Sequence, residues 1–92
     1  MIVRILGEGQ LELPDSALVE MNDLDAALER SLTTPGDADF RAALDALLAR
    51  VRELGTPLEL DALAASDVVL PFADATKDYV RDMLRDDGLI PG

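Results

Sequence analysis

The 92-residue sequence predicts a small α+β domain in which an N-terminal β-hairpin packs on an antiparallel αα-hairpin, followed by a short third strand and a C-terminal helix. Three observations predict this fold class. Residues 2–13 read as two short strands around a Gly-Glu-Gly turn, two later segments carry apolar residues at helical spacing, and the length suits one domain spanning residues 1–92. Because a lone hairpin is marginal in water, the helices are its expected packing partner.

The hairpin is predicted over residues 2–13. Its first half is rich in β-branched residues, and residues 10–13 alternate polar and apolar side chains, which is typical of a strand with one wet face. Gly7 and Gly9 supply the positive φ that a tight turn needs. Pro14 ends the second strand because proline cannot donate to a ladder.

The first helix is predicted over about residues 16–31, with Asp15 or Ser16 accepting hydrogen bonds at its N-terminus. Residues spaced by three and four form its apolar stripe: Leu18, Met21, Leu24, Leu28 and Leu32. The other face is expected to carry four acidic side chains: Glu20, Asp23, Asp25 and Glu29. This helix is therefore expected to present an acidic surface.

The second helix is predicted over about residues 37–54, and the turn cluster at 33–36 joins it to the first as an αα-hairpin. Its apolar seam follows a 4-3-4-3 spacing: Phe40, Leu44, Leu47, Val51 and Leu54. Asp37 is expected to cap this helix, and Gly55 to end it in the left-handed conformation. The seam is expected to lie in the core, with a seam shared between two copies as the alternative.

The remaining elements are shorter. Residues 58–65 are expected to hold one helical turn, residues 68–70 a strand, and about residues 76–85 the last helix, with Asp74 or Thr76 as its cap. Its expected apolar face is Val80, Met83 and Leu84. An apolar segment follows, either a docking segment or a tail folded on the core: Leu89, Ile90 and Pro91.

The charge balance excludes several classes of partner. The chain has 19 acidic and 8 basic side chains, a net charge of -11, so it repels nucleic-acid phosphates and anionic lipid headgroups. We therefore expect no nucleic-acid binding and no direct membrane binding. The acidic excess is concentrated in two segments. Residues 15–34 carry five acidic residues and one basic residue, and residues 56–73 carry three acidic residues and no basic one.

The residues that carry most catalytic and metal chemistry are absent. The sequence has no histidine and no cysteine, which removes the usual zinc ligands, the thiol nucleophile and every histidine-based triad. The acidic cluster of Asp82, Asp86 and Asp87 does not match a calcium loop, and no spacing pairs a serine with Lys77. We expect no catalytic residue, cofactor or metal; a small hydrolase or metal-binding protein is the minor alternative.

The N-terminal residues lack the features of a targeting signal. A basic segment, a long apolar stretch and a cleavage site are not found there. No apolar run in the sequence approaches the ~20 residues of a membrane span. A cytoplasmic protein is expected.

Four segments distributed along the whole chain resemble the PspA-associated domain family, PspAA, of bacterial phage-shock systems. They are residues 1–10 (MIVRILGEGQ), 48–58 (LARVRELGTPL), 66–71 (SDVVLP) followed by 73–76 (ADAT), and 87–92 (DGLIPG). The chain departs from the family pattern at residues 77–79 (KDY), where Leu-Glu-Glu is more usual, and at Phe72, where proline or a small residue is common. Neither departure changes a residue with a known chemical role.

The resemblance implies a non-enzymatic accessory protein of the envelope-stress response. Its expected partner is PspA, a helical coiled-coil protein that assembles on the cytoplasmic membrane surface, or another stress-response protein, and any recruitment to the inner face of the membrane would then go through that partner. The acidic first helix is the expected complement to a basic stretch of the partner. The alternative is a self-assembling homodimer without a PspA role, formed through the second-helix seam or a hairpin edge.

Overall fold

Along the described residues two strands are followed by two helices, two more strands and a last helix, and the sheet and the helices share one apolar core. The computed structural model describes residues 1–59 and 65–83. Its strands are β1 (Ile2–Ile5), β2 (Gly9–Glu12), β3 (Thr56–Pro57) and β4 (Val68–Leu70), and its helices are α1 (Leu18–Ser31), α2 (Ala38–Leu54) and α3 (Lys77–Met83). A 3-10 turn, Asp15–Ala17, leads into α1. The predicted α+β architecture, with its hairpin, helix pair, later strand and last helix, is confirmed.

The hairpin forms as predicted. β1 and β2 pair antiparallel, with Val3 opposite Leu11 and Ile5 opposite Gly9. Gly7 and Gly9 take φ values of 85° and 111°, and the Glu8 amide donates to the Ile5 carbonyl at 2.9 Å, which closes the turn. Since these φ values disfavour side chains with a Cβ, the two glycines are what allow the turn to be this tight.

Both hairpin strands lie inside a larger sheet of order β3-β2-β1-β4. β4 runs parallel to β1, with Val3 opposite Val68, and the Ile2 amide donates to the Asp67 carboxylate at 2.8 Å. On the other side, β3 pairs with β2. The hairpin therefore has no free edge, and the expectation that such an edge could pair two copies is wrong.

The strand β3 was not expected from the sequence, and it follows directly from the end of α2. Gly55 ends α2 in an extended conformation, φ -84° and ψ 150°, so the predicted left-handed conformation is wrong. A Cβ at this position would lie 2.7 Å from the Val51 carbonyl oxygen and 2.9 Å from the Leu11 Cβ. The glycine is needed because α2 and β2 approach each other closely here, and this contact sends the chain into β3.

The apolar seam of α2 lies in the core of the chain. Phe40, Leu44, Leu47 and Val51 are buried, as is Leu48 beside them, and Leu54 packs against them partly exposed. They share one cluster with sheet residues and with α1. The prediction of an intramolecular seam is confirmed, and this face is not available to a second copy.

Two of the three predicted helix caps do not form. Asp15 lies in the 3-10 turn before α1, and neither it nor Ser16 makes a side-chain cap hydrogen bond. Asp37 precedes α2 but also makes none. At α3, by contrast, the Thr76 hydroxyl accepts from the Tyr79 amide at 3.2 Å, which confirms one of the two expected caps of the last helix.

Cationic side chains hold α3 against the connection between α1 and α2. The Lys77 ammonium donates to the carbonyls of Thr34 and Gly36, and the Arg81 guanidinium donates to that of Leu32 at 3.0 Å. Val80 is buried beneath the helix, as predicted. The expected helical turn at residues 58–65 falls mainly on residues 60–64, and the expected end of α3 on residues 84–85, outside the described residues.

Candidate functional site

The acidic face predicted on α1 does not exist as one surface. Glu20 is half-buried, and its carboxylate pairs with the Arg50 guanidinium of α2. Arg50 also pairs with Glu53 at 2.9 Å, and the hydrogen bond with Glu20 is the main reason that the pKa of Arg50 is raised. Glu20 therefore joins α1 to α2, and its carboxylate already has a partner within the chain.

Asp25 is buried, with 6% of its surface exposed, so its predicted place on the outer face is wrong. Positions spaced by three and four from it are Met21 and Leu28, both fully buried, so Asp25 lies in the middle of the inward stripe of α1. Leu24, which the sequence predicted for that stripe, is only partly buried. A partner at the surface does not reach this carboxylate.

Asp23 and Glu29 are exposed as predicted. They are six positions apart in the helix, which turns their side chains about 120° apart around the helix axis. They form two separate charges. Of the four predicted acidic residues of α1, these two keep both exposure and an unbalanced charge. The other predicted site residues, Leu89, Ile90 and Pro91, lie outside the described residues.

Aromatic side chains form a surface feature that sequence reasoning missed. Phe72 and Tyr79 are each 42% exposed, and their ring centroids lie 6.4 Å apart at an interplanar angle of 52°. The sequence pattern does not assign Tyr79 to the apolar face of α3, and it singles out Phe72 only as a departure from the family pattern. Neither position shows a periodic signal, because Phe72 follows a strand end and Tyr79 lies in a helix of seven residues.

Most cationic side chains in the described part of the chain are engaged in internal contacts. Arg52 pairs with Glu8 in the hairpin turn at 2.8 Å, and this hydrogen bond lowers the pKa of Glu8 and raises that of Arg52. Arg41 donates to the carbonyls of Ala73 and Ala75. Together with Arg50, Lys77 and Arg81, these side chains hold elements together, while many of the acidic side chains face solvent unpaired.

Among the described residues, Ser31, Ser66 and Lys77 make hydrogen bonds within the fold. The Ser31 hydroxyl donates to the Leu28 carbonyl at 2.6 Å and the Ser66 hydroxyl accepts from Gln10, while Lys77 is bound to backbone carbonyls, so no serine–lysine pair forms. Among the residues that the structure describes, no three His, Cys, Asp or Glu side chains cluster in a way that could hold a metal ion. Of the acidic cluster predicted around α3, Asp82 alone is described, and it is exposed.

No helix within residues 1–59 and 65–83 has both the length and the hydrophobicity needed to cross a membrane.

Comparison with known proteins gives a single result. The family profile described as PspA-associated protein, PspAA, matches residues 1–92. No curated protein and no solved structure matches the chain. Since the profile covers every residue, the chain belongs to the PspA-associated protein family.

Proposed function

We propose that this chain is a non-enzymatic accessory protein of the phage-shock response that binds PspA through protein–protein contacts. The observation that carries the proposal is the family match over residues 1–92, whose description names association with PspA. The absence of histidine and cysteine from the sequence supports a binding role over catalysis.

The charge of the chain supports a protein partner over a lipid surface or a nucleic acid. A net charge of -11 is repelled by anionic headgroups and by phosphate backbones. Most cations of the described residues are engaged internally, so residues 1–59 and 65–83 present no large basic surface to offset that repulsion. In this proposal the protein works in the cytoplasm and reaches the inner face of the membrane through PspA.

The alternative of a self-assembling homodimer loses the two surfaces on which it was based. The second-helix seam is buried within the chain, and both hairpin strands are paired on each side. A homodimer would require a different surface.

Co-purification tests the proposed function. The tagged chain is expressed with the PspA encoded in the same genome and isolated at about 0.05 M and about 0.3 M NaCl, which span weak and strong screening of exposed charges. We expect PspA to be retained at low salt and reduced at higher salt, with the tag alone as control. Absence of PspA under both conditions contradicts the proposal.

A further inference from the structure

The chain places two of its three aromatic side chains on the surface. It contains two phenylalanines and one tyrosine, and Phe40 alone is buried in the core. Phe72 and Tyr79 instead contact each other while each remains 42% exposed. A small domain gains most by burying such large apolar side chains, so two of them exposed in contact indicate a surface that becomes buried when a partner binds.

The fold positions the Phe72 ring and the helix that carries Tyr79. An ideal Cβ at Gly7 would lie 3.0 Å from the Cδ1 of Phe72, so that ring rests directly against the hairpin turn. Tyr79 belongs to α3, whose position is fixed by the hydrogen bonds of Lys77 to the carbonyls of Thr34 and Gly36. Rigid anchors of this kind lose little conformational entropy when a partner binds.

Acidic side chains accompany the aromatic pair. Asp74 precedes α3, Asp78 and Asp82 lie on its outer side, and all three are exposed. Of the two described cations of α3, Lys77 binds backbone carbonyls, and Arg81 binds the Leu32 carbonyl and pairs with Asp78 at 2.9 Å, so the unbalanced acidic charges beside the rings are those of Asp74 and Asp82. We name this surface the acidic aromatic patch; it consists of Phe72, Asp74, Asp78, Tyr79 and Asp82.

We propose that the acidic aromatic patch is the surface that binds PspA, and that it takes a basic, partly apolar segment of that protein. This inference rests on the proposed function. The aliphatic stems of arginine or lysine would pack on the rings of Phe72 and Tyr79, with the cation over a ring face. The carboxylates, Asp82 above all, would complement the same cations and select a basic segment over an acidic one.

Two matched double variants test the patch by calorimetric titration of full-length PspA. Y79A with D82K removes an exposed apolar side chain and reverses an exposed acidic charge on α3. V19A with D23K makes the same two kinds of change on α1, where Val19 is 73% exposed and Asp23 is exposed. We expect the patch variant to bind at least about tenfold more weakly and the α1 variant to stay within about twofold of the unchanged protein.

A milder variant, D74N with D82N, keeps the patch testable if Y79A with D82K is found unfolded by circular dichroism. It retains both rings and removes two exposed charges, so weaker PspA binding at about 0.05 M NaCl, with the difference shrinking at about 0.5 M, supports the patch. Unchanged binding at low salt contradicts it.

The remaining outcomes separate the two proposals. If the unchanged protein binds PspA and the patch variants bind equally well, the patch is wrong and the proposed function stands. If the unchanged protein does not bind PspA, the proposed function fails. If light scattering shows a dimer that the patch variants convert to a monomer, the surface binds a second copy and the inference is overturned.

Discussion

Replacing Gly55 by alanine tests why α2 ends where it does. The backbone at Gly55 is extended, so alanine meets no dihedral penalty there. Its Cβ would nevertheless lie 2.7 Å from the Val51 carbonyl oxygen and within 3.0 Å of two Leu11 side-chain carbons. Forcing an extra carbon into a packed site costs about 1–3 kcal/mol. At about 4–8 °C per kcal/mol for a domain of this size, the melting temperature should fall by about 4–24 °C.

Asparagine at the same position separates this steric explanation from the left-handed one. Asparagine tolerates positive φ better than alanine, so a left-handed glycine is replaced more easily by asparagine. At Gly36, with φ 81° and open space around it, we expect Gly36→Asn to melt higher than Gly36→Ala. At Gly55 we expect Gly55→Asn to melt no higher than Gly55→Ala. Circular dichroism measures the melting temperature of all four variants. A milder effect of asparagine at Gly55 would refute the close-approach argument.

Three further predictions concern the core and the contacts that join elements. Leu47→Ala should lower the free energy of unfolding by about 2–5 kcal/mol in urea titration because Leu47 is fully buried, and an unchanged midpoint would remove it from the core. Because Arg52 lowers the pKa of Glu8 below its ordinary 4.5, their ion pair stabilises the fold above that value and is lost as pH falls through the lower folded pKa. Glu8→Gln should therefore lower the free energy of unfolding at pH 7 by less than about 1 kcal/mol, since the pair is so exposed. In acid the variant and the unchanged protein should unfold at the same temperature. A stability difference that stays constant with pH contradicts the pairing. Lys77→Met should speed amide hydrogen exchange at Val80 while leaving α2 protected, since α3 loses its hydrogen bonds to the helix connection. Equal exchange at Val80 in both proteins would mean that Lys77 does not hold the helix.

The elements that sequence reasoning predicted correctly are those whose signals are local. The Gly-Glu-Gly turn requires only backbone freedom at two positions, and it forms with both glycines at positive φ. The seam of α2 repeats over four turns, and its inward direction follows from helical geometry alone. Such signals do not depend on what the rest of the chain does.

The features that were missed depend on contacts between distant segments. β3 is two residues long and contains Pro57, so nothing in its composition indicates a strand; it exists because the close contact of Gly55 with Leu11 leads the chain alongside β2. The parallel pairing of β4 with β1 likewise follows from the path of the chain. Sequence periodicity carries no information about these long-range contacts.

The candidate site shows the same limit. Asp25 lies in the buried stripe of α1 because it is four positions after Met21 and three before Leu28. The sequence alone predicts the surface for this residue, because acidic side chains are mostly exposed. The ion pair of Glu20 with Arg50 could be identified only once the position of Arg50 on α2 was known. Phe72 and Tyr79 are seven residues apart in sequence and come together only in the folded chain.

Co-sedimentation with anionic vesicles, with and without PspA from the same genome, tests the central claim most directly. The claim is that this acidic chain binds PspA and reaches a membrane only through it. With a net charge of -11, the chain alone should remain in the supernatant. With PspA present, it should appear in the pellet. Pelleting to the same extent without PspA, or absence from the pellet when PspA is bound to the vesicles, would contradict the account.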